Sequence, residues 1–412
     1  MPTIKPFDGY LVRNDVAARV VAPEYDTVPA PKRREFAEAN PQNFLNTIRL
    51  RDDFDPACPP THEELIAFNR RSLHRLLGEG HFNPVNKPCV YIYELTHFDH
   101  TQTGVVCEIP SDEYAEGHVR KHENTRRDRE DLLAQYQKEI GVVSCPISLA
   151  YEANPDIDSF IREQQREPPI LDFNTGDDVH QRVWCIDDVR IQQDLSRLFQ
   201  SVENTYLTDG HHRAASGWRY TEMMRAEKGG DGHQPHEQLL VALFSDHELK
   251  LLPYHRCVRD LGELDGDGLL EALSREFDVS TPADQTNYEP ADHGEFGMYL
   301  AGVWYRLIIK PEVFDRKDPV ASLDVSLLQD HILGPLLGIH DFRTDPRLDY
   351  VSGVEGKRGL ENKQDDGWAV SFACHATSMD QLFHVADAGA LMPPKSTYFD
   401  PKTRSGIWVR FK

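Results

Sequence analysis

The sequence predicts a mixed α+β fold, and three observations carry that expectation. Short runs of strand character, such as CVYIYELTH and LLVALFSD, recur along the chain and are bounded by Gly, Thr and Asp. Between them lie stretches whose apolar residues fall at helical spacing. The two kinds alternate without gathering into separate halves, and no internal repeat or low-complexity tract interrupts them. At 412 residues the chain suits two or three domains, each able to bury its own core. Shifts of character divide it into an N-terminal α/β segment, 1–86, a central core, 87–261, and a C-terminal α+β domain from 262 to 412.

Taken in order, Pro-rich punctuation at VAPEYDTVPAPKRREF precedes two helices, over 32–39 and 62–77. CVYIYELTH and TGVVCEI then read as a hairpin. RRDREDLLAQYQKEIG is a charged helix with Leu132, Leu133, Tyr136 and Ile140 on one face. Thr125 and Asp128 have capping-box spacing at its start, and Gly141 stands where a C′ glycine belongs. VVSCPISLAYE is a buried strand, and a polar stretch leads to a second helix over 187–199. NTYLT is a strand that runs into Asp-Gly and a helix over 212–227, closed by Gly229 and Gly230. LLVALFSD and KLLPYHRCV follow as strands. The last part holds a helix over 269–277, strand pattern at MYLAGVWYRLIIK, a helix over 325–337 and strand pattern at GWAVSFACH.

The charge balance narrows the partners. With 45 Lys+Arg against 68 Asp+Glu the net charge is −23, so most of the surface repels phosphate backbones and anionic membranes. A local basic pocket for one small anion is still compatible with that background. The 7 cysteines are odd in number and scattered, with no C-x-x-C, so neither a zinc ribbon nor a disulfide framework is indicated. The apolar runs are too short to span a bilayer and the first residues lack a signal-peptide core, so a cytoplasmic location is expected. Oligomeric state is not legible.

Three stretches are candidates for chemistry. In TYLTDGHHRAASGWRY a strand turns at once into a helix, whose first N–H groups have no intrahelical partners and suit phosphate or carboxylate. Gly210 permits the tight turn, Arg213 with His211 or His212 adds charge, and Asp209 suits a magnesium ion or a substrate proton. Equally, Asp209 reads as a plain N-cap with the histidines solvated. In GHVRKHENTRRDRE, Glu123 stands before Arg126 and Arg127, a setting that keeps a carboxylate ionised and suits a general base or a metal ligand. His118 and His122 have chelating spacing if that stretch is helical, and a solvated charged helix start is the other reading. In LMPPKSTYFDPKTRSG, Lys395, Ser396, Thr397, Lys402 and Arg404 form a basic, hydroxyl-bearing patch suited to phosphate. That tail also reads as a terminal strand and turn held by Tyr398 and Phe399. GELDGDGLLEALSRE fails as a calcium loop because Ser274 replaces the bidentate glutamate, and GVEGKRG lacks P-loop spacing. Trp184, Trp304 and Trp368 read as core.

KPFDGYLV, PEYDTV, NPQNFL, YIYEL, KHENT, TDGHHRAA, LPYHRCV and MPPKSTYFDPKTRSG occur in that order. With these landmarks the chain resembles, over nearly its full length, the bacterial family catalogued as domain of unknown function 1015 and often labelled ParB-like. The KHENT and TDGHHRAA boxes resemble the signature boxes of the ParB/sulfiredoxin-like fold, most closely in the free-serine kinases, which move a phosphoryl group from ATP or ADP to the hydroxyl of serine. The resemblance implies a nucleotide-binding core over 87–261, with residues 152–201 inserted between its boxes. It implies Glu123 as the base, Asp209 as the catalytic, Mg²⁺-associated acid, and Gly210, His211, His212 and Arg213 as the phosphate cradle. Positioning and charge neutralisation are what phosphoryl transfer chiefly needs. The long insertion and the flanking segments imply a substrate pocket of their own, so the acceptor need not be serine itself and is expected to be serine or a relative. Where the sulfiredoxin branch has a cysteine in its phosphate turn, this chain has histidine. Where the partition branch has a helix-turn-helix, this chain continues as LLVALFSD. The expected function is therefore a nucleotide-dependent phosphotransferase on a small hydroxyl-bearing metabolite, with a non-catalytic nucleotide sensor as the alternative and DNA partition disfavoured by charge.

Overall fold

Apolar runs in the first half of the chain become the strands of a large mixed sheet. The computed structural model describes residues 2–25, 28–286 and 288–412, so Asp26 and Thr27 of PEYDTV lie outside the described residues. Two units divide the chain: Met1–Arg120, Asn124–Lys250 and Pro401–Lys412 form the first, Lys121–Glu123 and Leu251–Asp400 the second.

The first unit begins with β1 (Phe7–Val12), α1 (Asn14–Val20), α2 (Ala30–Ala39) and α3 (His62–Gly78). Thr61 and Glu64 close a capping box at the start of α3. The expected hairpin is β2 (Phe82–His97) with β3 (His100–Pro110), Tyr91 lying opposite Val106. Then come α4 (Asp112–Ala115), β4 (Val119–Arg120), α5 (Arg127–Ile140), β5 (Val142–Val143) and β6 (Ile147–Tyr151). Residues 152–201 supply α6 (Pro155–Gln164), β7 (Leu171–Asn174), β8 (His180–Ile186) and α7 (Val189–Phe199). β9 (Thr205–Asp209), α8 (His211–Lys228) and β10 (Gln238–Ser245) complete this stretch.

The second unit holds β11 (Leu251–Leu252), β12 (Tyr254–Val258), α9 (Gly266–Leu273), β13 (Phe277–Ser280), β14 (Glu295–Leu300) and β15 (Val303–Ile309). It continues with α10 (Asp324–Leu328), β16 (Leu348–Ser352), α11 (Gly356–Asp365), β17 (Val370–Cys374), α12 (Met379–Asp387) and β18 (Tyr398–Phe399). Its main sheet runs β13-β15-β14-β17-β12-β16, and β11 pairs β18. Leu269, Phe296, Leu328 and Phe372 are fully buried in its core. The chain then returns to the first unit and ends in β19 (Trp408–Phe411).

The first unit's eleven-stranded sheet runs β4-β9-β6-β10-β3-β2-β1-β19-β5, with β8 on β2 and β7 on β8. β10 is antiparallel to β3 and parallel to β6, and every one of its residues is buried, which is why it reads as a continuous apolar run rather than an alternating one. Val105, Leu149, Val241 and Leu243 belong to the core between this sheet and its helices.

Several expected elements are corrected in detail. Arg126 is the N-cap of α5 and makes no side-chain cap, because the Thr125 hydroxyl donates to Glu130 instead (2.5 Å). Leu132 is 53% exposed on that helix, whereas Ala134 and Ile140 are buried. VVSCPISLAYE is two strands, broken at Pro146, which has no N–H for a ladder. The helix expected over 269–277 stops at Leu273, and Phe277 opens β13. The one expected over 325–337 is α10 followed by a π turn over Gln329–Leu333, ending before Gly334 and Pro335. GELDGDG is a helix start, with the Asp265 carboxylate accepting from the Gly268 N–H at 2.8 Å. The stretch around His118 and His122 is not helical, so the chelating spacing does not arise.

Candidate functional site

β9 is buried up to Thr208 and delivers Asp209 to the start of α8. Gly210 is the N-cap, at φ +95, and brings no side chain to close the helix end, so Asp209 is not the simple cap that composition allowed. A Cβ at Gly210 would stand 2.8 Å from Arg213 Nε. Arg213 therefore folds back over the turn. Its Nη2 donates to Asp209 Oδ2, and its Nη1 donates to the Pro146 carbonyl at 2.7 Å and to Cys145 Sγ at 2.6 Å. Cys145 and Pro146 lie in the irregular stretch between β5 and β6.

Lys402 closes the other side. Its Nζ lies 3.5 Å from Asp209 Oδ1 and 3.0 Å from Glu24 Oε1, and it is only 12% exposed. Beside this group, Arg404 pairs with Asp177 at 2.8 Å, and the Glu24 N–H donates to Asp177 at 3.3 Å. Carboxylates and cations thus interleave: Glu24, Lys402, Asp209 and Arg213 in one run, Asp177 and Arg404 next to it. Burial alone would push the Asp209 carboxyl up, but the Lys402 and Arg213 charges outweigh it and hold the group below its ordinary range. An Asp here is therefore ionised at neutral pH, with its charge shared by two cations.

The first unit brings together Asp209, Gly210, Arg213 and Lys402, with His211 buried and His212 half-buried on the first turn of α8. Glu123 is half-buried and belongs to the second unit, as do Lys395, Ser396 and Thr397. There the Ser396 hydroxyl is buried and donates to the Pro393 carbonyl at 2.6 Å. Thr397 Oγ1 lies 3.4 Å from Nε2 of the buried His122. Lys395 is exposed and stands 4.8 Å above the Tyr254 ring. The basic tail is thus shared out, with Lys402 and Arg404 in the first unit. Tyr398 and Phe399 are buried as the structural reading of that tail requires.

Sequence reasoning missed Glu24, Cys145 and Asp177. The only signal for Glu24 is its place in PEYDTV, and nothing local marks the other two. A resident Mg²⁺ does not fit the donor set. Both Asp209 oxygens face cations, and no group of three or more His, Cys, Asp or Glu able to hold a metal occurs among the described residues. No helix among the described residues is long and apolar enough to cross a membrane.

Comparison with known proteins gives three findings. No curated protein matches the chain. Among solved structures, a conserved hypothetical protein from Pyrococcus furiosus is 11% identical, covering 73% of this chain and 95% of that one at a TM-score of 0.35. A free serine kinase in complex with AMP is 10% identical over 73% of this chain and 90% of that one, TM-score 0.36. SbnI with a C-terminal truncation, from Staphylococcus aureus, is 11% identical over 72% and 84%, TM-score 0.35. Likenesses of that size carry neither a fold nor an activity across. The family model is decisive by contrast, since it matches residues 4–326, and the chain belongs to DUF1015, a family of proteins of unknown function.

Proposed function

We propose that the protein is a nucleotide-dependent phosphotransferase acting on a small hydroxyl-bearing metabolite, serine or a relative, with ATP or ADP as donor. The observation that carries this reading is the turn at Asp209 and Gly210, where an uncapped helix N-terminus meets Arg213 and Lys402. A phosphate entering there trades places with carboxylates: Lys402 and Arg213 turn from Asp209 and Glu24 to the incoming oxygens, and the α8 dipole adds to their charge. Glu123 takes the acceptor hydroxyl's proton, a role it holds through the likeness of its KHENT box to the free-serine kinases. Asp209 orients the two cations. His211 and His212 complete the proposed phosphate contacts.

Two variants test the reading with labelled nucleotide and a pool of small hydroxyl metabolites. Glu123→Gln is expected to bind nucleotide as before and to lose transfer by about 10²–10⁴-fold. Full turnover in that variant overturns the base assignment. Arg213→Ala is expected to weaken nucleotide binding about 10–100-fold, the loss of a charge-assisted contact. A nucleotide sensor is the second reading, favoured by the internal balance of charge around Asp209, which lets a ligand exchange without chemistry. Tight nucleotide binding with no phosphorylated product supports the sensor against the kinase.

A further inference from the structure

We propose that Cys89 and Cys185 form an oxidisable pair that closes to a disulfide across β2 and β8. Their sulfurs lie 3.0 Å apart, with the Cys185 thiol donating to Cys89 Sγ. The sheet register explains the approach. Cys185 lies opposite Tyr91, and the two-residue strand period puts Cys89 on the same face as Tyr91, so the thiols are diagonal neighbours on one side of the sheet. Closing to the length of a sulfur–sulfur bond, about 2.05 Å, shortens that separation by about 1 Å.

The two thiols are not equivalent. The hydrogen bond from Cys185 lowers the Cys89 thiol below its ordinary range, while donating that bond and burial raise Cys185. Cys89 is thus the nucleophile and Cys185 the resolving thiol. Cys89 is itself buried, at 2% exposed, so the hydrogen bond and not exposure sets it apart from Cys257 and Cys374, whose thiols burial pushes up to about 11. Cys58 is exposed and serves as a solitary control.

The oxidant is a hydroperoxide. The Cys89 thiolate attacks one oxygen of hydrogen peroxide, the O–O bond breaks, the attacked oxygen stays on sulfur as the sulfenic hydroxyl, and the other leaves as hydroxide and takes a proton to become water. The resulting sulfenic sulfur is attacked by Cys185, whose proton leaves with the hydroxyl as a second water. Each sulfur gives up one electron and the peroxide takes two.

The test treats the full chain with hydrogen peroxide, alkylates the remaining thiols in denaturant and weighs the digested peptides. The expected result is one pair of joined peptides, carrying Cys89 and Cys185 and two hydrogens lighter, separated again by dithiothreitol. Cys257 and Cys374 are expected to stay open to alkylation. Full alkylation of both Cys89 and Cys185 after peroxide, or Cys89 driven to sulfinic acid without joining, overturns the proposal. In Cys185→Ser, Cys89 is expected to stop at the sulfenic acid and take a dimedone label. A folded variant without that label also overturns it.

Discussion

Replacing Gly210 by alanine is expected to cost about 1–2 kcal/mol, because φ +95 is a left-handed conformation that a Cβ disfavours. The same Cβ meets the Arg213 guanidinium, so the variant is also expected to bind nucleotide more weakly. Denaturant titration reads the first effect and a binding isotherm the second. This turn was legible because everything it needs is local: strand, Asp-Gly and helix follow one another in a dozen residues. Its counter-charges were not. Glu24 and Asp177 reach Lys402 and Arg404 from distant parts of the chain, and a carboxylate's partner at such separation leaves no periodic trace. Lys402 reaches Asp209 from the tail in the same way, a partner that no local pattern at Asp-Gly foretells.

Helices and strands with strong periodicity could be read from the sequence, whereas their ends were decided by tertiary partners. The β2–β3 hairpin and α8 lie where apolar alternation and the Gly229 stop signal put them. On α5 the periodic Leu132 is left exposed, and Tyr136 does the anchoring: its hydroxyl donates to the Thr47 carbonyl at 2.6 Å and accepts from Asn69 of α3 at 2.8 Å. Tyr136→Phe is expected to destabilise by about 1–3 kcal/mol in urea unfolding, because buried polar partners lose a bond with no replacement. The link from α8 to β10 is held by Glu237, which takes Arg225 Nε at 2.6 Å and the Gly232 N–H at 2.7 Å. Burial opposes its charge, but these bonds bring its carboxyl down to about 2. A depressed carboxyl stabilises the fold above its ordinary range and loses that contribution as pH falls from about 4.5 to about 2. Acid titration of Glu237→Gln is expected to show a shallower loss of stability across that interval.

At the scale of the whole molecule, the mixed α+β class followed from composition and alternation, but the path of the chain did not. The tail reads as a small basic patch, yet it supplies β19, which pairs β1 and β5. Trp408 is 1% exposed and packs on Tyr91 and Tyr93 at 5.7 and 5.1 Å, while Lys412 is held by Glu108 at 2.5 Å. Trp408→Ala is expected to cost about 3–5 kcal/mol by guanidinium denaturation. No sequence period distinguishes a strand that returns to a sheet begun some 400 residues earlier from one that joins its neighbour. During synthesis this routing imposes an order of events. The segment from Leu251 to Asp400 is finished and free to collapse while the earlier sheet still has a gap between β1 and β5. That gap is filled only after Phe411 has left the ribosome, so until then the nascent chain carries β1 with an open strand edge.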